Sequence, residues 1–528
     1  MNDEFDALVH EAFYTFMDFR PDFATFFGLH QYDTKMPSGT KESQLKFIEY
    51  LSDYLKRFQD LQGLSPENLF ERNLMISLLK YYFFEDGTIR QWEKDPDPSD
   101  TVGLGIFPLF SREYAPFEER LRSITARLQQ CPQFINEFKT RIETPVKLWS
   151  EIAIEGCNML PMFFQIITTT AQQKGLDTGE LEEAAAKTTD ALTEYVAWLT
   201  DLPCEGEAFL GRDLFEGLLK ARELGLTSDE ILKIGEDYLR KEKEKLKYLA
   251  SQIDPTLSVE EVRNRIREEH PPTFAETLKE YDKAIAHSRE VVVNQKFATV
   301  PDGERLVVME TPSFMRHIVP VAAYQSPARF EEDQMGVYIV TPVEEDSLKE
   351  HNYPSILNTS VHEGYPGHHL QLTWANKHPS LVRALSNPSE FIEGWAHYCE
   401  ERMRNYGLQD IKVQIVQTLD VIFRAVRIII DVKLHRGEMT FDESVSLLKS
   451  ETGMGDYAAL AEVKRYTKTP GQPLSYLLGK HLLLELQKEV QAFMKEKYSE
   501  KAFHDAVLQG GSLPFAYLRE ELKVKGML

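Results

Sequence analysis

Two histidine-containing pairs lie close together in the segment VHEGYPGHHLQ, residues 361 to 371. His362 is followed directly by Glu363, as in the zinc-hydrolase motif HExxH, where two histidines one helical turn apart share an ion. The position four residues after His362 is Pro366, so the literal motif is absent. The residue types therefore predict a hydrolytic metal site with Glu363 as its general base. The sequence spacing of the histidines requires a local irregularity in the helix that carries them.

The second histidine ligand depends on that irregularity. On an unbroken helix, His368 would lie about 120° around the axis from His362, and His369 would share its face but lie about 10 Å further along. Pro366 lacks an N–H and its ring clashes with the preceding turn, while Gly367 accepts unusual backbone angles. A two-residue bulge would make His368 the second ligand, and His369 is the competing assignment.

A third protein ligand is expected, because catalytic zinc commonly has three and keeps one position for water. The segment FIEGWAHYCE, residues 391 to 400, supplies Glu393 on a predicted next helix, with Glu400 also on its face. A buried His/Glu cluster without an ion would leave costly unpaired groups. We predict one zinc ion held by His362, His368 and Glu393, although such a site also accepts other divalent ions.

Further polar residues could contact a substrate. The segment EVKRYTKTPGQPLSYLLG supplies Arg465, Tyr466 and Tyr476 as candidate donors to the oxyanion of amide hydrolysis. Arg465 could bind a substrate carboxylate in a bidentate manner or pair with an acidic neighbour. Tyr476 could equally pack its ring and leave its hydroxyl to water. His397, four residues after Glu393, could contact substrate or lie behind the ligands.

The elements that position these residues are mostly helices. Apolar residues recur at three- and four-residue steps from residue 3 to about 300, which is typical of amphipathic helices. The short β-branched segments ERLVVMET and MGVYIVTP predict a small sheet between about 297 and 345. Within it, GVYIVTP could be an edge strand that aligns an extended peptide, or could pack inside a hairpin. A helix over about 353–376 is predicted to carry the histidine pairs.

One mainly α domain is expected over residues 1–528, and no internal repeat divides it. We expect a helical part over about 1–296, a metal-site core over about 297–485 and C-terminal helices over about 486–528. Hydrophobic residues make up 42% and charged residues 27%, which excludes a disordered chain and permits a large core.

Net charge and cysteine content limit the classes of partner and the cellular compartment that we expect. The net charge of −24 repels phosphate backbones and anionic lipids, so nucleic acid is not an expected partner. No run of about 18 apolar residues occurs, and no membrane span is expected. Four scattered cysteines and an acidic N-terminal segment without signal-peptide character favour the cytoplasm. The chain could form a homodimer.

Three motifs together resemble a bacterial family known as domain of unknown function 885. HEGYPGHHLQ, EGWAHYCE and EVKRYTKTPGQPLSYLLG occur in that family's order, and VPVAAYQSP and GVYIVTP resemble its segments before the metal helix. Specific similarity covers about residues 300–485. The family's fold is similar to that of the Taq carboxypeptidase and thimet oligopeptidase families. The resemblance implies a gluzincin-like body with a deep central groove, a metal on its floor and a small sheet beside it.

The resemblance also implies roles for individual residues. By analogy, His362, His368 and Glu393 would be zinc ligands, Glu363 the general base, and Tyr476 a catalytic or substrate-binding residue. The Pro-Gly insertion is typical of the family. The implied protein is a zinc-dependent hydrolase, carboxypeptidase-like or oligopeptidase-like, acting on a peptide or small amide. Two rivals are a non-catalytic peptide-binding scaffold and a metal-dependent hydrolase of a nonpeptide amide.

Overall fold

A computed structural model of the protein describes residues 2–311, 322–343 and 345–528. The described part is mainly helical with one small sheet, which confirms the mainly α class. Contacts divide the chain into two compact units: Met1–Ala208 with Ala328–Asp333, and Phe209–Pro327 with Gln334–Leu528. The division after Ala208 precedes the predicted one near residue 296, so the metal-site residues share their unit with earlier helices. The single-domain organisation stays a prediction.

The first unit consists of helices, two of which begin at a side-chain cap. Thr40 accepts a hydrogen bond from the amide of Ser43, and Ser65 accepts one from the amide of Asn68. The helices are α1 (Asn2–Phe19), α2 (Pro21–Phe26), α3 (Lys41–Asp60), α4 (Pro66–Phe83), α5 (Ser99–Ser111), α6 (Phe117–Phe138), α7 (Lys147–Gln173) and α8 (Gly179–Thr200).

Helix α7 is the one helix in the described part of the chain that is long and apolar enough to cross a bilayer, judged by length and composition. Core helices of soluble proteins pass the same test. In its most apolar stretch, 39% is buried inside the structure.

The second unit contains the remaining helices and the sheet. Its helices are α9 (Arg212–Ala221), α10 (Ser228–Ile253), α11 (Val259–Arg267), α12 (Phe274–Asn294), α13 (Tyr353–Glu363), α14 (His368–Lys377), α15 (Leu381–Leu385), α16 (Ser389–Arg402), α17 (Ile411–His435), α18 (Phe441–Thr452), α19 (Asp456–Lys468), α20 (Gln472–Met494), α21 (Glu500–Gln509) and α22 (Phe515–Val524). Capping boxes, as at Thr227 with Glu230 and at Thr440 with Glu443, fix several of their starts.

Helix α17 lies at the centre of this unit. Its apolar side chains pack against α10 and α20 in a buried cluster that includes Val421, Ile428 and Leu477. Asp410 caps its first turn by accepting from the amides of Lys412 and Val413. Because α17 is buried over most of its length, its polar side chains must find partners inside the protein.

A three-stranded sheet is present where a small sheet was predicted. The strands β1 (Arg305–Glu310), β2 (Ala322–Gln325) and β3 (Met335–Val340) lie in the order β1-β3-β2. β3 runs parallel to β1 and antiparallel to β2. The segment GVYIVTP therefore supplies the central strand and not an edge, because a third strand, AAYQ, pairs with its free side. Among the described strands, β1 and β2 occupy the edges.

Candidate metal centre

The single helix predicted over 353–376 is two helices. α13 ends at Glu363 and α14 begins at His368, so the Pro-Gly segment breaks the helix instead of bulging it. Gly364 has φ −106° and ψ −102°, which is far from helical values. The predicted two-residue bulge is corrected to a break over residues 364–367, where Pro366 removes a helical donor.

The break returns His368 to the neighbourhood of His362. The amide of Gly367 donates to the carbonyl of Val361 at 3.0 Å. A Cβ atom on residue 367 would lie 1.9 Å from the carbonyl oxygen of His362, so only glycine permits this approach. The imidazole centroids of His362 and His368 are 4.7 Å apart. The two histidines are therefore brought together by a close backbone contact between Gly367 and residues 361 and 362, and not by the pitch of one continuous helix.

Helix α16 holds the break in place. The indole Nε1 of Trp395 donates to the carbonyl of Pro366 at 2.8 Å, and the thiol of Cys399 donates to the same oxygen at 3.7 Å. Both side chains are fully buried. Because α16 also carries Glu393, these bonds fix the loop relative to the third predicted ligand.

Three potential ligand atoms meet between α13, α14 and α16. Oε2 of Glu393 lies 3.6 Å from Nε2 of His362 and 3.3 Å from Nε2 of His368. One ligand atom from each residue lies within 4.8 Å of the other two. Ligand atoms about 2.1 Å from a tetrahedral zinc ion are about 3.4 Å apart. Oε2 of Glu393 is buried without a hydrogen-bond partner among the described residues, and the three residues fit a divalent ion.

Glu400 orients His362 from the side opposite Glu393. Its Oε1 accepts a 2.7 Å hydrogen bond from Nδ1 of His362, which leaves Nε2 to face Glu393. Arg424 donates to the same Oε1 at 3.3 Å, and Nδ1 of His397 lies 3.1 Å from Oε2. A carboxylate behind a ligating histidine fixes the ring and makes it a stronger ligand.

The carboxylates around His362, His368 and Glu393 produce a negative electrostatic potential, which favours a cation between these residues. Burial opposes protonation of His362, yet the nearby Glu393 carboxylate and the hydrogen bond to Glu400 raise the pKa of this imidazole to about 10. Burial also opposes ionisation of Glu393, yet His368 and His362 hold the pKa of that carboxyl below its usual range. The carboxylates thus stabilise positive charge between them, as they would for a bound divalent ion.

A cavity of about 570 Å³ opens beside these atoms. Glu363, the last residue of α13, lines it together with Tyr476 of α20. Nε2 of Gln472 donates to the Tyr476 hydroxyl at 3.3 Å. Burial, followed by the nearby Glu393 carboxylate, raises the pKa of Tyr476, so its hydroxyl keeps its proton. The predicted base and the predicted tyrosine therefore share one cavity with the predicted ligands.

His397 is not among the described residues that line the cavity. Its side chain is fully buried, and its Nδ1 faces Glu400. Burial is the main reason that the pKa of His397 falls to about 3. The sequence left two positions open for His397, and the structure places it behind the candidate ligands, against Glu400. We therefore do not propose a contact between His397 and substrate.

Tyr466 and Arg465 also lie off the described cavity wall. The hydroxyl of buried Tyr466 donates to Glu462 at 2.6 Å and accepts from Nε of Arg427 at 2.9 Å. Arg465 donates to Glu462 at 3.0 Å and to Gln472 at 2.7 Å. Arg465 therefore pairs with an acidic neighbour, and neither residue is carried forward as a substrate contact.

Two arginines of α17, missed in the sequence, do line the cavity. Arg424 donates to Glu400, and Arg427 donates to Glu462 at 2.8 Å. The guanidinium carbon of Arg427 lies 4.7 Å from the centroid of the Tyr476 ring. Two charged residues three positions apart in the otherwise apolar stretch 421–430 of this helix were the available signal, because they share a face and must be paired when buried.

The remaining histidines near the motif lie outside the group of candidate ligands. His369 lies 2.6 Å from Glu304 through Nε2 and is absent from the cluster of potential ligands, which favours His368 in the site. His351 is buried, with the Tyr281 hydroxyl 3.1 Å from its Nδ1. Arg316 and His317, which could have reached the cavity, lie outside the described residues.

Comparisons with known proteins place the chain in a family. A structure described as a candidate lipoprotein of unknown function from Shewanella oneidensis has a TM-score of 0.82 and 21% identity, over 98% of this chain and 99% of that one. A candidate lipoprotein from Colwellia psychrerythraea has a TM-score of 0.86 and 19% identity, over 99% and 98%. Both show the same fold. No curated protein matches significantly. The family model of bacterial proteins of unknown function, DUF885, matches residues 21–522, and the chain therefore belongs to the DUF885 family.

Proposed function

We propose that this protein is a zinc-dependent hydrolase that cleaves peptide bonds. The observation that carries the proposal is the meeting of His362, His368 and Glu393 at ligand distances, with Glu363 on the wall of the adjoining cavity. A metal site, a carboxylate base and a cavity in one place are the parts that amide hydrolysis requires. We also propose that the chain is similar to gluzincin peptidases and shares their deep central groove.

His362, His368 and Glu393 would hold the ion, which when bound polarises a substrate carbonyl and makes water more acidic. Glu363 accepts a proton from the attacking water as its oxygen bonds to the carbonyl carbon. The same carboxyl group then delivers this proton to the nitrogen as the carbon–nitrogen bond breaks. The products are one new carboxylic acid and one new amine, the second proton of water then passes from the acid to the amine to give a carboxylate and an ammonium group, and Glu363 returns to its starting state.

Tyr476 supplies the donor for the oxyanion. Its hydroxyl keeps its proton, because burial and the Glu393 carboxylate raise its pKa. Arg424 and Arg427 lie over the ring, with guanidinium carbons 5.6 and 4.7 Å from its centroid. These contacts hold the ring in one orientation, which a preorganised donor needs.

Strand β2 and Arg427 give the cavity the features of a peptide site. Ala322 and Ala323 line the cavity and belong to β2, which is an edge strand among the described strands, and an edge strand can pair with an extended peptide. Arg427 and Arg465 share the single carboxylate of Glu462, which leaves positive charge at this end. A substrate carboxylate on Arg427 would suit carboxypeptidase action, a role that the sequence had suggested for Arg465.

The compartment forms a separate part of the proposal. The solved neighbours described as candidate lipoproteins point to an anchored or extracytoplasmic protein, whereas four free cysteines accord with a reducing cytoplasm. Fractionation of the native host, followed by detection of this chain, decides between them. The proposed chemistry is the same in either compartment.

The test is a paired assay of metal and activity on the purified full chain. We expect about one zinc ion per chain and cleavage of a mixed peptide library, with cleavage lost on chelation and regained with zinc. Peptide binding without cleavage in the zinc-loaded protein would support the scaffold alternative. Cleavage of nonpeptide amides alone would support the third reading, and a chain that retains no metal after zinc incubation would refute the proposal.

A further inference from the structure

His369, the rival metal ligand, belongs to a different chain of hydrogen bonds. Its Nδ1 lies 3.0 Å from the hydroxyl of Tyr324, and its Nε2 lies 2.6 Å from Oε2 of Glu304. The His369 and Glu304 side chains are 0% and 1% exposed. Tyr324, at the other end of this chain, lines the cavity beside the metal centre.

The buried carboxylate sets the direction of these hydrogen bonds. Burial opposes ionisation of Glu304, yet bonds from His369 and Tyr365 hold the pKa of its carboxyl below the usual range. An ionised carboxylate only accepts, so Nε2 of His369 carries the hydrogen. We assign the other ring nitrogen, Nδ1, as the acceptor of the Tyr324 hydroxyl, whose oxygen lies 3.0 Å away. The Tyr324 oxygen, which has two lone pairs and gives its single hydrogen to His369, consequently keeps a lone pair for the cavity.

The fold makes room for this contact and fixes it. A Cβ atom on Gly336 of β3 would lie 2.6 Å from Nδ1 of His369 and 2.9 Å from the Tyr324 oxygen, so any larger residue would displace the pair. Arg289 donates to Glu304 at 3.0 Å and Tyr365 donates to the same carboxylate, which holds it in place. Burial raises the pKa of Tyr324 well above its usual value, so the hydroxyl stays neutral.

We propose that Tyr324 is a specificity-determining residue whose oxygen accepts a hydrogen bond from one main-chain N–H of a bound peptide. The inference rests on the proposed peptidase function, because it names the substrate group that the cavity recognises. Glu304 and His369 are positioning residues that act through Tyr324. A secondary amide supplies the hydrogen, whereas an ester at the same place does not, and the cavity should therefore distinguish the two.

The first experiment measures binding without turnover. Tetra-alanine and its three analogues, each with one amide replaced by an ester, are titrated calorimetrically into the zinc-loaded Glu363→Gln protein. One ester should bind about 3- to 10-fold more weakly than the peptide, as expected for one lost neutral hydrogen bond. Addition of Tyr324→Phe should abolish that penalty and leave the other esters unchanged. An equal penalty with and without the Tyr324 hydroxyl would overturn the inference.

The second experiment tests the positioning residues. His369→Asn keeps an acceptor oxygen near the place of Nδ1 and should retain most of the ester penalty, whereas His369→Leu, which has no acceptor, should lose it. Equal behaviour of the two variants, with zinc content and thermal stability preserved, would refute a role for the His369 acceptor. A lower kcat in Tyr324→Phe with an unchanged ester penalty would show a donor role, and would likewise overturn the inference.

The outcomes separate this inference from the proposed function. Peptide cleavage by the wild-type chain, with no ester penalty that depends on Tyr324, refutes the inference alone. A penalty that depends on Tyr324, without cleavage by the zinc-loaded wild-type chain, refutes the peptidase function alone. Failure of all four probes to bind refutes both.

Discussion

Nε2 of His368 lies 3.3 Å from Oε2 of Glu393, although one residue begins α14 and the other lies within α16. The adjacent His369 points elsewhere, with its Nε2 2.6 Å from Glu304. Two consecutive histidines on one helix thus serve different clusters, because neighbouring side chains on a helix diverge by about 100°. The distinction can be tested directly.

His368→Ala should lower the zinc content of the purified chain from about one ion to well below one, because it removes one of three ligands. His369→Ala is the matched control and should retain the ion. Elemental analysis after dialysis against a weak chelator measures both. Loss of zinc in the His369 variant alone would reverse the assignment.

Glu363→Gln should keep the zinc ion and lose activity by about 100-fold or more, because the amide cannot accept the proton of water. The measurement is kcat for a confirmed peptide substrate, with zinc content determined on the same sample. Wild-type turnover in this variant would remove Glu363 from the mechanism.

Glu400→Gln should weaken zinc binding by about 10- to 100-fold, because the carboxylate that fixes His362 is replaced by a weaker acceptor. Competition with a fluorescent chelator gives the affinity. An unchanged affinity, in a variant that remains folded, would limit Glu400 to the pairing of Arg424.

Arg427→Gln should raise KM for peptides with a free C-terminal carboxylate by about 10-fold or more, because the cavity loses its guanidinium partner for that group. Arg465→Gln is the matched control, since both arginines pair with Glu462 and Arg427 is the one that lines the cavity. C-terminally amidated peptides should show no such change. Equal effects on free and amidated peptides would argue for an oligopeptidase.

His504 should make stability depend on pH. Its Nδ1 donates to the carbonyl of Phe297 and its Nε2 accepts from Tyr398, each at 2.8 Å, and burial lowers its pKa to about 4. The unfolded state therefore binds the extra proton between pH about 4 and 6.5, and the stabilisation present above that range is lost as the pH falls through it.

Lowering the pH from 7 to 5 should cost about 2 kcal/mol through this one group, and His504→Gln should remove that part of the loss. Urea denaturation at the two pH values, followed by fluorescence, measures the difference. His287→Gln, at an exposed position on α12, is the control and should retain the wild-type pH dependence. An equally steep dependence in the His504 variant would refute the assignment.

The three residues that meet at the candidate metal centre could be predicted from residue types, whereas the geometry that brings them together could not. A helix-breaking Pro366 was evident, but the close backbone contact of Gly367 with His362 depends on tertiary structure. The break also depends on Trp395, which lies on another helix and donates to Pro366. The strand AAYQ escaped prediction because its alanines carry no β-branched signal, and its pairing turned the expected edge strand into the central one.

The cavity arginines were missed for a different reason. Periodicity identifies an amphipathic helix by its apolar face and assigns no role to the polar residues within it. Arg424 and Arg427 are paired with Glu400 and Glu462, which lie on helices α16 and α19. Those partnerships between distant segments are not visible in local sequence.

Because His362 and His368 lie on two different helices, the geometry of this candidate centre depends on tertiary structure. In a continuous HExxH helix, the helical pitch alone sets the histidine spacing, and an isolated peptide can retain it. Here the spacing depends on the bond from Trp395 to Pro366, so an excised α13–α14 segment should lack the donor geometry. Zinc retention could then serve as a folding sensor, with loss of the ion marking the moment at which α16 leaves the loop.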